Sequence, residues 1–169
     1  RSPPLYSSAA SDVYKRQELD NGGDVADSLA LGAVRGARGN SGMVLSQVLR
    51  GVAESTVDSV IDGDVFVRSL KQAVELVDRA IAEPVEGTVI TVLKAASESA
   101  EDAAAQSGAT LHSIVSAAIA AAETALERTP SQLPALREAG VVDAGGAGLV
   151  ILLESLLAEI EGSTGHTGL

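Results

Sequence analysis

From Val25 to Ile160 the apolar residues recur at intervals of three and four, the spacing that places them on one face of a helix. Phe66, Leu70, Ala73, Val74, Val77 and Ile81 form the clearest stripe, with Asp62 or Gly63 placed to cap its start and Pro84 to end it. Val25, Leu29 and Val34, then Val44, Leu45, Val48, Leu49 and Val52, make two shorter stripes split by the glycine-rich segment Gly36 to Gly42. Val89, Val92, Leu93, Ala96 and Ala103 mark another helix. Leu111, Ile114, Val115, Ile119, Ala122 and Leu126 mark the next, with Thr110 as its N-cap and Thr129-Pro130 as its stop. A short helical piece over Leu133 to Glu138 ends at Gly140, and Leu149, Leu152, Leu153, Leu156, Leu157 and Ile160 carry the last stripe. Period-two alternation is never sustained. Gly87 to Leu93 is the best strand candidate and reads equally well as a helix start. The pattern predicts an all-α bundle of about seven helices, with no repeat at a fixed period.

Composition sharpens this picture. Apolar residues are 46% of the 169, yet only 2% are aromatic, so the core is built from Ala, Val, Leu and Ile. That favours helices over a sandwich or barrel, which would use aromatic strands. Lys and Arg number 12 against 23 Asp and Glu, a net charge of −11, which repels phosphate backbones and anionic lipid. Neither nucleic acid nor a membrane surface is an expected partner. No apolar run reaches the roughly 18 residues of a membrane span. Without cysteine there is no disulfide framework or thiolate chemistry, which allows the cytosol, and a cytoplasmic protein is expected. Residues 1–17, RSPPLYSSAASDVYKRQ, hold two of the five prolines and both tyrosines and carry no apolar period. They read as a non-native or disordered segment resembling a translated sequencing adaptor. The expected domain is 18–161, truncated at its start, with 162–169 as a tail or linker.

Three segments set small residues and a polar group ahead of an apolar helix. In Gly36-Ala37-Arg38-Gly39-Asn40-Ser41-Gly42 the glycines free several N–H groups to point one way, Ser41 adds a hydroxyl, and the next helix N-terminus adds partial positive charge. That suits a phosphate, and it equally suits a tight turn between helices. It is neither a Walker A loop nor a dinucleotide fingerprint. In Pro84-Val85-Glu86-Gly87-Thr88, Thr88 can cap a helix or meet a ligand. In Gly140 to Gly148, Gly140 serves as a helix end, and Asp143 followed by Ala144, Gly145 and Gly146 gives more backbone freedom than one turn requires.

The strings GARGNSGMVLSQ (Gly36 to Gln47), PVEGTVITV (Pro84 to Val92) and TPSQLPALREAGVVDAGGAGLV (Thr129 to Val150) occur in an order and spacing that resemble the nucleotide-binding domain of the DAK2 or DhaL family. They are closest to the branch found in bacterial fatty acid kinases, and the likeness runs from about Val25 to Leu157. The resemblance implies an all-α, antiparallel helical barrel or bundle with ATP or ADP held at one mouth. It places Asn40, Ser41 and Gly42 at the nucleotide phosphates, Gly87 and Thr88 in a turn lining the nucleotide, and Asp143, Ala144 and Gly145 in a loop closing over it. It implies a kinase acting on a small acceptor presented by a partner: a fatty acid carboxylate on a lipid-binding protein, or dihydroxyacetone on a partner subunit in glycerol metabolism. A helical module that binds nucleotide without chemistry is the other class.

The sequence departs from that family in one respect. Family members carry a DGDTG loop before the GNSG segment whose aspartates bind two magnesium ions, and no such loop precedes Gly39 here. Asp62-Gly63-Asp64 lies after that segment and reads as a helix start. Magnesium ligands are therefore expected to be missing, catalytic residues are not assignable, and this chain is expected to bind nucleotide weakly. His112 and His166 read as surface or packing residues, and Glu18, Asp20, Asp24 and Asp27 as helix-dipole partners. Arg38 could pair with a phosphate or with a nearby carboxylate.

Overall fold

The computed structural model describes residues 22–55 and 61–164. Seven helices and no strand occur among them: α1 (Gly22–Gly36), α2 (Gly39–Ser55), α3 (Gly63–Ala80), α4 (Val89–Ala104), α5 (Leu111–Gln132), α6 (Pro134–Ala139) and α7 (Ala144–Thr164). The fold is all-α, as the periodicity predicts.

Caps define several of the boundaries. Asp62 accepts from the Val65 N–H at 2.8 Å to open α3. Thr110 and Ser113 bond reciprocally to open α5. Gly140 closes α6 in the left-handed region, at φ +67°.

Three boundaries differ from the sequence reading. First, α3 ends at Ala80, with Ile81 extended and outside it, four residues before Pro84. Second, α5 runs through Pro130 to Gln132 instead of stopping there. Third, α7 continues to Thr164, three residues into the expected tail. The candidate strand from Gly87 is the start of α4. Residues 1–17, Glu18, Asp20 and His166 lie outside the described residues, as do the side chains of Asp24, Val25, Asp27 and Leu29.

The core is centred on α4, which packs against α2, α3, α5 and α7. Val92, Leu93, Ala96 and Ala100 of α4 are wholly buried, joined by Leu70, Ala73, Val115, Ala118, Ala122 and Leu149. Each buried Leu contributes about 1.5–3 kcal/mol, and the alanines between them let the helix axes approach closely. The α2 helix lies close on α3, backbone to backbone. A Cβ built on Gly51 would stand 2.5 Å from the Ser69 carbonyl oxygen and 3.0 Å from the Ala73 nitrogen.

Long-range pairs give the helix directions. Lys71 meets Glu101 while Asp78 meets Lys94, so α3 and α4 are antiparallel. His112 meets Glu161 while Leu126 lies beside Gly146, so α5 and α7 are antiparallel too. Along α2 and α7 the indices rise together. Ser41 lies beside Gly145, Leu45 beside Gly148, and Val48 to Val52 line the same cavity as Leu152 to Leu156. The helices α2, α4 and α7 therefore start at one end of the bundle, and α3 and α5 finish there.

Two looser regions adjoin α2. The seam with α7 opens, away from that common end, into an apolar cavity of about 170 Å³ lined also by Phe66 and Leu70. On its other side α2 carries α1, which touches no other described helix and leaves Leu31 and Val34 exposed.

Two predictions follow from the α2–α3 interface. Gly51→Ala forces backbone apart and is expected to cost about 1–3 kcal/mol, read from the urea midpoint. The second concerns Glu54, which accepts from Arg50 at 2.6 Å and from Gln72 of α3 at 2.9 Å. The Arg50 hydrogen bond is the main cause holding its carboxyl below the usual range; slight burial opposes it and the Gln72 bond adds to it. The folded pKa is thus the lower one, and the tie stabilises above the ordinary glutamate pKa and is lost as pH falls through the folded value. Glu54→Gln should lower the urea midpoint at neutral pH, and the gap should close as the pH falls below the folded pKa of Glu54.

Candidate functional site

Two of the three segments singled out in the sequence meet directly at the common end of the bundle, and residues from all three border one cleft there. Its volume is about 250 Å³, and its walls are Ser41, Ile81, Glu83, Val85, Thr88, Val89, Ile90 and Asp143.

Ser41 comes from the first turn of α2. The chain turns from α1 to α2 through Ala37 and Arg38 alone, with Gly39 in the left-handed region at φ +66° and Gly42 close against Ala37. The segment is thus a tight helix-to-helix turn that also delivers first-turn N–H groups, which have no intrahelical acceptor, to the cleft end. The Asn40 backbone lies in that turn, and its side chain is outside the described residues. Arg38 pairs with no carboxylate among the described residues. Its guanidinium donates to the Ala37 carbonyl at 2.9 Å and is exposed at the end of α1, where the dipole favours a cation.

Thr88 opens α4. Its hydroxyl donates to the Val85 carbonyl at 2.7 Å and accepts from the Ile90 N–H at 3.4 Å. The turn before it is held by Thr91, which donates to Glu86 at 2.8 Å and accepts from the Gly87 N–H at 3.0 Å. Gly87, at φ +78°, is buried against the end of α5. A Cβ there would stand 2.9 Å from Gln132 Cβ and 3.0 Å from the Thr129 carbonyl. It shapes the turn from beneath and does not line the cleft.

Asp143 opens α7, accepting from the Gly146 N–H at 2.7 Å through Oδ2. Ala144 is the exposed first residue of that helix, and Gly145 is buried at the second position. A Cβ on Gly145 would stand 2.5 Å from Ser41 Oγ and 3.2 Å from Asp143 Oδ2. The contact between the α2 and α7 starts therefore exists because that position has no side chain.

Of the eight residues picked out in the sequence, Ser41, Thr88 and Asp143 line the cleft, Gly145 brings two of them together, and Gly42 and Gly87 shape the turns. The sequence reading missed Ile81, Glu83, Val85, Val89 and Ile90, which became neighbours only when α3 and α4 packed side by side. Among the described residues no three of His, Cys, Asp or Glu gather as a metal site, and no helix is long and apolar enough to cross a membrane.

The family model of the DAK2 domain matches residues 6–158. The chain belongs to the DAK2-domain family. DAK2 domains are nucleotide-binding, dihydroxyacetone-kinase-like modules. Among relatives, Protein YloV of Bacillus subtilis is 38% identical over 159 residues, covering 94% of this chain and 28% of YloV. Uncharacterized protein SSP1546 of Staphylococcus saprophyticus is 38% identical over 84% of this chain and 26% of its own length. Uncharacterized protein SH1689 of Staphylococcus haemolyticus is 35% identical, with 88% and 28% covered. The chain thus spans between a quarter and a third of the relatives it matches.

The glycines at this end of the DAK2 domain give a paired test. Gly140 and Gly87 both have positive φ, but a Cβ on Gly140 meets nothing within 4 Å. Gly140→Ala should therefore cost only the left-handed conformation, about 1–2 kcal/mol. Gly87→Ala should cost clearly more in the same urea titration, because packing against α5 adds to it.

Proposed function

We propose that this DAK2 domain is the nucleotide-binding part of an ATP-dependent kinase, and that the cleft bounded by Ser41, Thr88 and Asp143 receives the phosphate-bearing end of ATP or ADP. The observation that carries the reading is the convergence of three helix starts on one cleft. Each N-terminus presents unbonded N–H groups and about half a unit of positive charge. The absent Cβ at Gly145 leaves backbone, not side chain, facing Ser41. At about 250 Å³ the cleft falls short of the roughly 300–1,000 Å³ of a pocket for a whole small molecule, and suits one end of a nucleotide.

The electrostatics limit what this part does alone. ATP brings about four negative charges, each helix start offsets only about 0.3–1 kcal/mol, and Glu83 and Asp143 stand in the cleft wall. Magnesium, when bound to the phosphates, supplies the missing positive charge. The described residues do not form a site for it, so we assign none of them that task and derive no transfer step. Ser41 orients the phosphates by its hydroxyl and the first-turn N–H groups of α2, Thr88 holds the start of α4 so that its first-turn backbone faces them, and Asp143 keeps α7 in register beside α2. For the whole protein we favour phosphorylation of a fatty acid carboxylate presented by a lipid-binding partner; dihydroxyacetone on a partner subunit is the alternative. Nucleotide binding without chemistry is the third reading.

Calorimetric titration and thermal shift with ATP and ADP test the site. ATP at about 100 times its dissociation constant should stabilise the protein by about 2.7 kcal/mol. Gly145→Val should abolish the shift, and Ser155→Ala, which changes an exposed hydroxyl far along α7, should leave it intact. No shift in the unaltered chain at any accessible ATP concentration would overturn the reading.

A further inference from the structure

The end of α5 holds a residue that touches two of the three site segments and belongs to neither. Thr129 is wholly buried. Its hydroxyl donates to the Leu126 carbonyl at 2.7 Å and accepts from the Asp143 N–H at 3.1 Å. Its own carbonyl lies 3.0 Å from the point where a Cβ on Gly87 would stand.

Pro130 gives this arrangement its direction. In an unbroken helix the N–H of residue 130 would bond the Leu126 carbonyl, and proline has none to give. The Thr129 proton takes that place. With its proton used on Leu126, the hydroxyl oxygen can only accept, and the Asp143 N–H is the donor that reaches it. Asp143 is then fixed at both ends, by its N–H on Thr129 and by its carboxylate on the Gly146 N–H.

We propose that Thr129 is a positioning residue for the nucleotide site: through its hydroxyl it ties the Asp143 segment to the end of α5, the surface against which the Gly87–Thr88 turn packs, and so holds the two sides of the cleft in register. This rests on the nucleotide reading above.

The test compares Thr129→Val, which keeps the shape and removes the hydroxyl, with Thr129→Ser, which keeps the hydroxyl. The readouts are ADP affinity, melting temperature, and amide hydrogen exchange at Asp143 and Gly146. Thr129→Val should weaken ADP binding about tenfold and speed exchange at both amides, and Thr129→Ser should bind within about twofold of the unaltered chain. Gly51→Ala, which disturbs the far end of α2, separates this from general loosening, since it should lower the melting temperature and leave ADP affinity alone. A folded Thr129→Val that binds ADP like the unaltered chain, or no more weakly than Gly51→Ala, would overturn the proposal.

Should Thr129→Val fail to fold, Pro130→Ala replaces it. An N–H at residue 130 returns to Leu126 and releases the Thr129 proton, so ADP binding should weaken without loss of melting temperature. Unchanged affinity would count against the role. If the unaltered chain binds no ADP, the nucleotide reading fails by itself. Exchange at Asp143 and Gly146 then decides whether Thr129 sets the geometry: faster exchange in Thr129→Val supports it and unchanged exchange overturns it.

Discussion

The side-by-side contact of α2 and α7, running in the same direction, is the constraint on which the architecture of this end depends. Neighbouring helices that share a direction place like partial charges together at both ends, an arrangement that chain reversal normally avoids. Here α6 is only six residues long, so α7 leaves from the same end at which α5 finishes. The unfavourable juxtaposition of two helix starts is offset by core burial of Val44, Val48, Leu149 and Leu153 along the seam. It brings two helix N-termini together where Ser41 and Gly145 touch, beside the Asp143 carboxylate that caps one of them. A bundle that alternated strictly would have kept them apart.

Burial of α4 depends on the same arrangement. Because α2 and α7 both flank it, α4 buries most of its surface and leaves only a narrow face with Glu98 and Asp102 to solvent, and its start, at Thr88, is carried to the same end as theirs. The chemistry of the cleft is thus mostly backbone chemistry. Its hydroxyls and carboxylates are largely engaged with their own helix starts: Thr88 with Val85 and Ile90, and Asp143 with Gly146. In a chain of net charge −11, oriented peptide groups are the available source of attraction for an anion.

Much of this was legible from residue order. Apolar spacing located every helix but α6, because a helix needing one buried face repeats its apolar residues whatever it packs against; α6 buries none and was marked by Gly140 at its end. Side chains that cap locally were legible for the same reason, as Asp62, Thr88 and Thr110 act within four residues of themselves. What sequence hid was non-local. Pro130 reads as a stop because proline lacks an N–H, yet Thr129 supplies the missing donor and α5 continues. That substitution is understood only once Asp143, fourteen residues on, is seen to use the other side of the same hydroxyl. Ile81 and Glu83 carry no motif, and they border the cleft only because α3 stops before Pro84.

The apolar opening between α2 and α7 also has a volumetric consequence. Its walls, from Val48 and Leu49 through Phe66 to Leu152 and Leu156, enclose about 170 Å³. Space of that kind disappears when a chain unfolds, so hydrostatic pressure acts on it as a lever. Compression should favour states in which the two helices separate at that end first, where the seam is already open, while Ser41 and Gly145 stay in contact at the other. Under pressure the bundle is expected to yield at its aliphatic end before the end where its helix starts converge.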